Sequence, residues 1–278
     1  MRGGNQILCF FRMSLLLHGD CLEVMKTLPD ASVDCFVCDL PYGCLSGGNK
    51  QTERKGGAFP EAGCSWDVKI DLSAFWVEVK RLCKSDNTPI LMFCNTRFGI
   101  DLINSNPTWF RYDLVWDKQR GVNFLAANKR PMTSHEMIYV FGKKTPFYKR
   151  VDVKTDKGEW VKDRTKEKAM KSRQYGLGCS AATDEGGKDG MRCPLSVIDV
   201  PGKSKRNGHP TEKPEVLYRW LLERYVPEGG TVLDPTAGSF NCIWVAEEMG
   251  FRGIGIEKDE KFYNKALEHV KEPEIGQN

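Results

Sequence analysis

Val33 to Tyr42, VDCFVCDLPY, decides the fold. Val33 to Asp39 reads as a short buried strand, and Asp39-Leu40-Pro41-Tyr42 closes it with an acid and a turn. Upstream, Ser14 to His18 (SLLLH) reads as a second buried strand. Between the two, Cys21 to Leu28 places Leu22, Met25 and Leu28 on one helical face. Strand, helix, strand is a parallel unit, because parallel neighbours need a long crossover. Downstream, polar and glycine-rich residues from Gly43 to Gly63 form a loop. Helix Leu72 to Cys83, strand Pro89 to Asn95, helix Arg97 to Asn104 and strands Phe110 to Trp116 and Glu136 to Phe141 follow. The last third predicts helix Pro214 to Tyr225, strand Thr231 to Asp234, helix Phe240 to Met249, strand Gly253 to Glu257 and helix Glu260 to Val270. This alternation predicts an α/β fold with a mostly parallel, doubly wound sheet, whose ligands bind at the carboxyl ends of the strands.

Composition agrees with that architecture. The 278 residues are 40% hydrophobic and 28% charged, with 27 Gly and 14 Pro, which excludes collagen-like, fibrous and wholly disordered classes. No apolar run approaches the ~20 residues that span a bilayer. Residues 1–13 read as a poorly structured extension rather than a secretion signal. The 11 cysteines are odd in number and several lie inside apolar runs, so they read as reduced thiols of a cytoplasmic protein, or of a host cell's nucleus or cytoplasm if the source is viral. Cys35 and Cys38 have the spacing of half a zinc site, but they alternate to opposite faces of a strand and stand without a second pair. No metal site is expected.

Net charge is only +4, yet Lys143 to Arg206 holds 17 Lys and Arg against 9 Asp and Glu. Such a segment is either a solvated loop or an insertion that contacts phosphates. The expected division is therefore an extension over 1–13, one half of the main domain over 14–142, a basic insertion over 143–206 and the other half over 207–278.

Three predicted strand ends carry an acid and turn residues: His18-Gly19-Asp20, Asp39 to Gly43, and Asp234-Pro235-Thr236-Ala237-Gly238-Ser239; a fourth strand ends on Glu257. Gly238 lets a ligand approach the backbone, and Glu257, about 20 residues on, is placed to accept ribose hydroxyl protons. Neither GxxxxGK[ST] nor GxGxxG occurs, so the arrangement suits a nucleoside more than a phosphate. Asp234 could instead simply cap the following helix. Asp39, a backbone carbonyl of Leu40 or Pro41 and the Tyr42 ring are suited to hold an amino group on a flat ring, although a D-x-P-Y tetrapeptide is also a common turn.

Asp39-Leu40-Pro41-Tyr42, then His209-Pro210-Thr211-Glu212-Lys213-Pro214, then Asp234 to Ser239 resemble, in that order, the signatures of the β class of DNA amino-methyltransferases. In that family a recognition region lies between the catalytic turn and the cofactor motif, where the basic segment falls here. Trp116-Asp117-Lys118 to Arg130-Pro131 and Ser134-His135-Glu136 resemble phage- and prophage-type members. The resemblance implies a circularly permuted Rossmann-like methyltransferase fold and S-adenosylmethionine as cofactor. It implies that Asp39, Leu40, Pro41 and Tyr42 hold a base flipped out of duplex DNA. Asp234, Pro235, Thr236, Ala237, Gly238, Ser239 and Asn241 would line the cofactor site, with Glu257 and Lys258 at the ribose end and Asp20 near the adenine ring. Thr211 and Lys213 would stand near the methionine end, and His209 and Asp39 would also belong to the cofactor site. Lys129, Arg130, Lys143, Lys144, Lys149 and Arg150 would contact DNA phosphates. Leu40 departs from the family's usual Pro, and Phe240-Asn241 from its Gly-Thr, so Asn241 is expected to weaken or re-route one cofactor contact.

Transfer to the N6 amine of adenine is the expected reaction, since Asp rather than Ser at position 39 accompanies adenine in that family. Transfer to the N4 amine of cytosine, an RNA adenine substrate and an inactive nucleic-acid binder are the rivals. A ring-carbon reaction would need a thiolate in a Pro-Cys turn, and the chain has no such dipeptide. The resemblance also brings a homodimer and a separate cognate endonuclease into consideration as partners, and no membrane.

Overall fold

The structure, a computed structural model, describes residues 9–11, 14–43, 68–122, 124–154, 191–202 and 212–271. In chain order the elements are β1 (Cys9–Phe11), β2 (Ser14–His18), α1 (Cys21–Met25), β3 (Cys35–Cys38), α2 (Leu72–Leu82), β4 (Ile90–Cys94), α3 (Thr96–Ser105), β5 (Phe110–Val122) and β6 (Thr133–Phe141). They continue with β7 (Val153–Lys154), β8 (Met191–Arg192), β9 (Val197–Asp199), α4 (Glu215–Tyr225), β10 (Thr231–Asp234), α5 (Asn241–Glu248), β11 (Arg252–Glu257) and α6 (Glu260–Lys271). The chain divides into two compact units, Met1–Tyr148 with Ser196–Asn278, and Lys149–Leu195. In the second unit β7 and β8 pair as an antiparallel ribbon.

The first unit is built on a nine-stranded sheet in the order β1-β2-β11-β10-β3-β4-β6-β5-β9. From β2 to β4 every pairing is parallel, while β6 runs antiparallel to both β4 and β5. Strands from the end of the chain thus lie between two from its beginning. That order brings the turn after β3 beside the turn after β10, although nearly two hundred residues separate them in sequence.

Alternation within the central strands makes two cores. Phe36, Cys38, Ile90 and Met92 face α1, α2 and α3, where they meet Met25, Phe75, Val79, Leu82 and Leu102. Cys35, Val37, Leu91 and Phe93 face α4 and α5, meeting Leu217, Leu221 and Val245. The two cysteines of the CxxC therefore belong to opposite cores, and burial pushes both thiols up. Helix α2 begins where Asp71 accepts the Ser73 and Ala74 amides, and it buries Phe75, Val79 and Leu82, one stripe at helical spacing. A fully buried Phe or Leu of this kind contributes about 2–5 kcal/mol against truncation to Ala. In β11 the glycines serve packing: a Cβ on Gly255 would lie 2.6 Å from the Phe240 ring, and one on Gly253 2.6 Å from Ile243.

Three expectations change. Within the supposed unstructured extension, Cys9–Phe11 pairs with β2. The insertion is narrower than 143–206, because the compact unit runs from Lys149 to Leu195 and β9 joins the main sheet beside β5. Strands β5 and β6 extend beyond Trp116 and before Glu136 into a long antiparallel hairpin, where charged residues that weaken a strand signal are held by cross-strand pairing.

Candidate active site

The carboxyl ends of β2, β11, β10, β3 and β4 open onto one cleft of about 1000 Å³. Asp234, the last residue of β10, is buried, and its Oδ1 accepts the Thr236 amide at 3.1 Å. Burial pushes its carboxyl up to about 8, with the Thr236 hydrogen bond opposing the shift and the charges of Asp39 and Glu257 adding to it. The capping reading of Asp234 is set aside: α5 begins only at Asn241, after Phe240 in a left-handed conformation with φ 59°. The turn is held instead by backbone and side-chain bonds. Ala237 N–H donates to the Ile256 carbonyl at 2.8 Å, and Gly238, at φ 53°, donates its amide to Glu257 Oε2 at 2.8 Å. The other oxygen of Glu257 accepts the Asp259 amide at 2.7 Å. Burial raises the Glu257 carboxyl, and these two amides pull against it. Each carboxylate oxygen keeps a lone pair for a further donor.

The neighbouring turn is charge-rich. Asp39 Oδ2 takes the Lys213 ammonium at 2.6 Å, and the same ammonium lies 3.3 Å from Glu136 Oε1. Lys118 pairs with the other Glu136 oxygen at 2.7 Å. The Tyr42 hydroxyl lies 2.9 Å from Asp39 Oδ1 and 2.8 Å from Glu136 Oε1, and its single proton is shared between the two carboxylates. Two acids and two ammonium groups alternate around a phenol. Burial would lift the Glu136 carboxyl, but Lys213 and Lys118 hold it well below the usual carboxylate range. Burial would likewise lower Lys213, but Asp39 and Glu136 raise it, so it stays charged. Tyr42 is pushed far up by burial and by the same two carboxylates. One face of its ring stacks on Phe98 at 5.2 Å, and the residue lines the cleft. The two turns are joined directly: Thr236 Oγ1 donates to the Asp39 carbonyl at 3.1 Å.

Most of the expected residues converge here. Asp39, Leu40, Pro41, Tyr42, Asp20, Lys213, Pro235, Thr236, Ala237, Gly238, Ser239, Glu257 and Lys258 all line the cleft. The Leu40 side chain is buried in the core, so only its backbone is available to a ligand. Asp20 caps α1 through the Leu22 amide and pairs with Lys258 at 3.0 Å, which lowers its carboxyl against the opposing effect of burial. Lys213 stands against Asp39 itself, not only near the methionine end. Asn241 is buried and donates to the Glu212 carboxylate and, at 3.4 Å, to the Lys213 carbonyl, so its amide fixes the Lys213 segment. His209 and Thr211 lie outside the described residues.

The basic residues divide. Lys129 and Arg130 are exposed on the β5–β6 turn, at the cleft end of the sheet. Lys143 and Lys144 both pair with Asp86, near the amino end of β4 and so at the opposite end of the sheet from Asp39. They are therefore placed away from the cleft that Lys129 and Arg130 adjoin. Lys149 and Arg150 belong to the second unit, where Arg150 pairs with Asp152 at 2.6 Å. Glu136 and Lys118 received no role from the sequence. The available signal was an acid at the entrance of an apolar strand, opposite Trp116 in the hairpin register.

A family model described as DNA methylase, of the N6 and N4 methyltransferases, matches residues 33–268. The chain is 28% identical over 272 residues to the type II methyltransferase M.HinfI of Haemophilus influenzae, covering 94% of this chain and 69% of that protein. It is 23% identical over 309 residues to the type II methyltransferase M.XycI of Xanthomonas campestris pv. cyanopsidis, covering 96% and 89%. Among solved structures, the cytosine-N4-specific PvuII DNA methyltransferase aligns with a TM-score of 0.60 at 13% identity, covering 95% of this chain and 88% of that one. The M1.HpyAVI–SAM complex aligns at 0.57 and 17% identity, covering 94% and 100%.

Proposed function

The chain belongs to the DNA methylase family, and from that premise we propose that it is a β-class, site-specific methyltransferase acting on the N6 amine of adenine in duplex DNA. Its cofactor is S-adenosylmethionine. The observation that carries the reading is the Thr236 to Asp39 hydrogen bond, which fastens a nucleoside-type turn to an amine-accepting turn inside one cleft. The residues fit the cofactor: Glu257 retains acceptor capacity for ribose hydroxyls, and Gly19 and Gly238 leave the backbone uncovered along the cleft. When bound, that cofactor supplies an electrophilic methyl group on a sulfonium.

The chain's own part is to present the amine. A base within a duplex cannot reach the cleft, so the nucleotide must leave the stack at a cost of a few kcal/mol. The open part of the Tyr42 ring offers a stacking surface that offsets some of that cost. Asp39 and the backbone carbonyl of Leu40 or Pro41 accept the two amine protons and draw the nitrogen lone pair out of the ring. Lys213 and Tyr42 hold the Asp39 carboxylate in place, so it need not reorganise during the reaction. Alignment to within ~3–3.5 Å then suffices, and no covalent intermediate is needed. The order of the motifs supports the β-class reading, and the Trp116 to Arg130 segment supports a phage-type origin. The two relatives are named as type II methyltransferases, which leads us to propose a separate companion endonuclease; a homodimer rests on the resemblance alone.

The test is methyl transfer from labelled S-adenosylmethionine to unmodified duplex DNA, with matched RNA in parallel, followed by nucleoside mass analysis. N6-methyladenine in DNA is the expected product. N4-methylcytosine would overturn the base, and label in RNA alone would overturn the substrate.

A further inference from the structure

At the tip of the β5–β6 hairpin, Phe124 and Leu125 are 76% and 81% exposed. They stand on an ordered turn: Ala127 N–H donates to the Phe124 carbonyl at 2.9 Å, and the Lys129 and Arg130 amides to the Ala126 carbonyl at 2.8 and 3.1 Å. Lys129 and Arg130 are exposed beside them and make no ion pair among the described residues. The arms of the hairpin, through Val122 and Thr133, line the same cleft as Asp39. Phe124 is two residues beyond Val122.

We propose that this hairpin is a wedge: Phe124 and Leu125 enter the base stack beside the target nucleotide and occupy the space it vacates, while Lys129 and Arg130 hold the flanking phosphates. The proposal rests on the DNA base-flipping reading above and adds residues to it. Adjacent apolar side chains at an ordered tip, with two exposed cations beside them that make no ion pair among the described residues, match a partner that is stacked inside and anionic outside, and apolar wedges of this type unstack base steps. A second copy of the chain fits poorly, because a two-fold contact at the tip would bring Lys129 and Arg130 against their own copies. The hairpin would thus offset part of the unstacking cost that the Tyr42 platform alone leaves uncompensated.

The test compares wild type with the double variant Phe124→Ala/Leu125→Ala on duplexes carrying the mapped methylation site. One duplex is fully paired and the other has an abasic position opposite the target base, which lowers the cost of extrusion. Since that cost is a few kcal/mol, a loss of roughly 10- to 100-fold in kcat/KM is expected on the paired duplex. On the abasic duplex the two proteins should agree within roughly threefold. Unchanged thermal unfolding and cofactor binding should accompany the loss, because both side chains are exposed. Equal loss on both duplexes would make the tip a simple anchor and overturn the wedge, as would no loss on either. A change in oligomeric state by sedimentation would assign the tip to a copy of the chain and also overturn it. Absence of transfer by the wild type on any DNA would instead remove the methyltransferase reading, and the wedge with it.

Discussion

Asp39 and Asp234 close adjacent parallel strands, Asp39 lining the cleft and Asp234 buried, and their charges are treated in opposite ways. Asp39 has Lys213 at 2.6 Å and a phenol at 2.9 Å, within a cluster where two ammonium groups balance two carboxylates. Asp234 is more deeply buried and has one backbone amide, and its carboxyl rises to about 8. A buried charge costs several kcal/mol unless it is paired. One turn is therefore electrostatically complete, and the other holds an acid that burial drives toward its neutral form. The comparison separates an acid paired with a cation from one whose charge is set by burial.

The largest effect should come from breaking the complete side. Asp39→Ala is expected to lower methyl transfer by ~10³-fold, while cofactor affinity, measured by calorimetry, stays within a few-fold. Equal loss of both would place Asp39 in the cofactor site and erase the contrast. Next, Lys213→Met leaves Asp39 and Glu136 without their shared cation, and removing one partner of a buried pair costs about 3–5 kcal/mol. Denaturant unfolding should show that loss above pH 5, where Glu136 is ionised, and show it shrinking as pH falls and Glu136 takes up a proton. A loss that does not depend on pH would mean that Lys213 acts only by packing.

The smallest and most diagnostic effect belongs to Asp234→Asn. A carboxyl raised in the folded state contributes stability that is complete below its unfolded value of 3.8 and is lost as pH rises to about 8. Asn cannot ionise, so the ligand-free variant should gain on wild type steadily between those limits and melt higher at pH 8, while binding cofactor more weakly. A variant that melts lower across the whole range would show that Asp234 is compensated in some other way.

The fold was legible because strands buried on both faces read as continuous apolar runs, and Cys35–Cys38, Ile90–Cys94 and Thr231–Asp234 fall within their predicted spans. β9 was not legible, since three residues inside a basic segment carry too little pattern to suggest a place beside β5. In the site, Asp39, Asp234 and Glu257 announced themselves as acids at strand ends. Glu136 and Lys118 did not, because each looks like an ordinary charge on a strand until the hairpin register sets them beside Tyr42. Lys213 was placed among cofactor residues by its motif, and its bond to Asp39 is visible only in three dimensions.

By itself the sequence determined the α/β alternation, the acids and turns at the strand ends, and the local excess of basic charge, because hydrophobic periodicity and turn chemistry act over a few neighbouring residues. The tertiary structure alone decided that β10 and β11 lie between β2 and β3, that Thr236 bonds Asp39, and that Lys143 and Lys144 sit at the far end of the sheet. Those outcomes depend on strand order and register, which join residues nearly two hundred positions apart, and no local pattern carries that information.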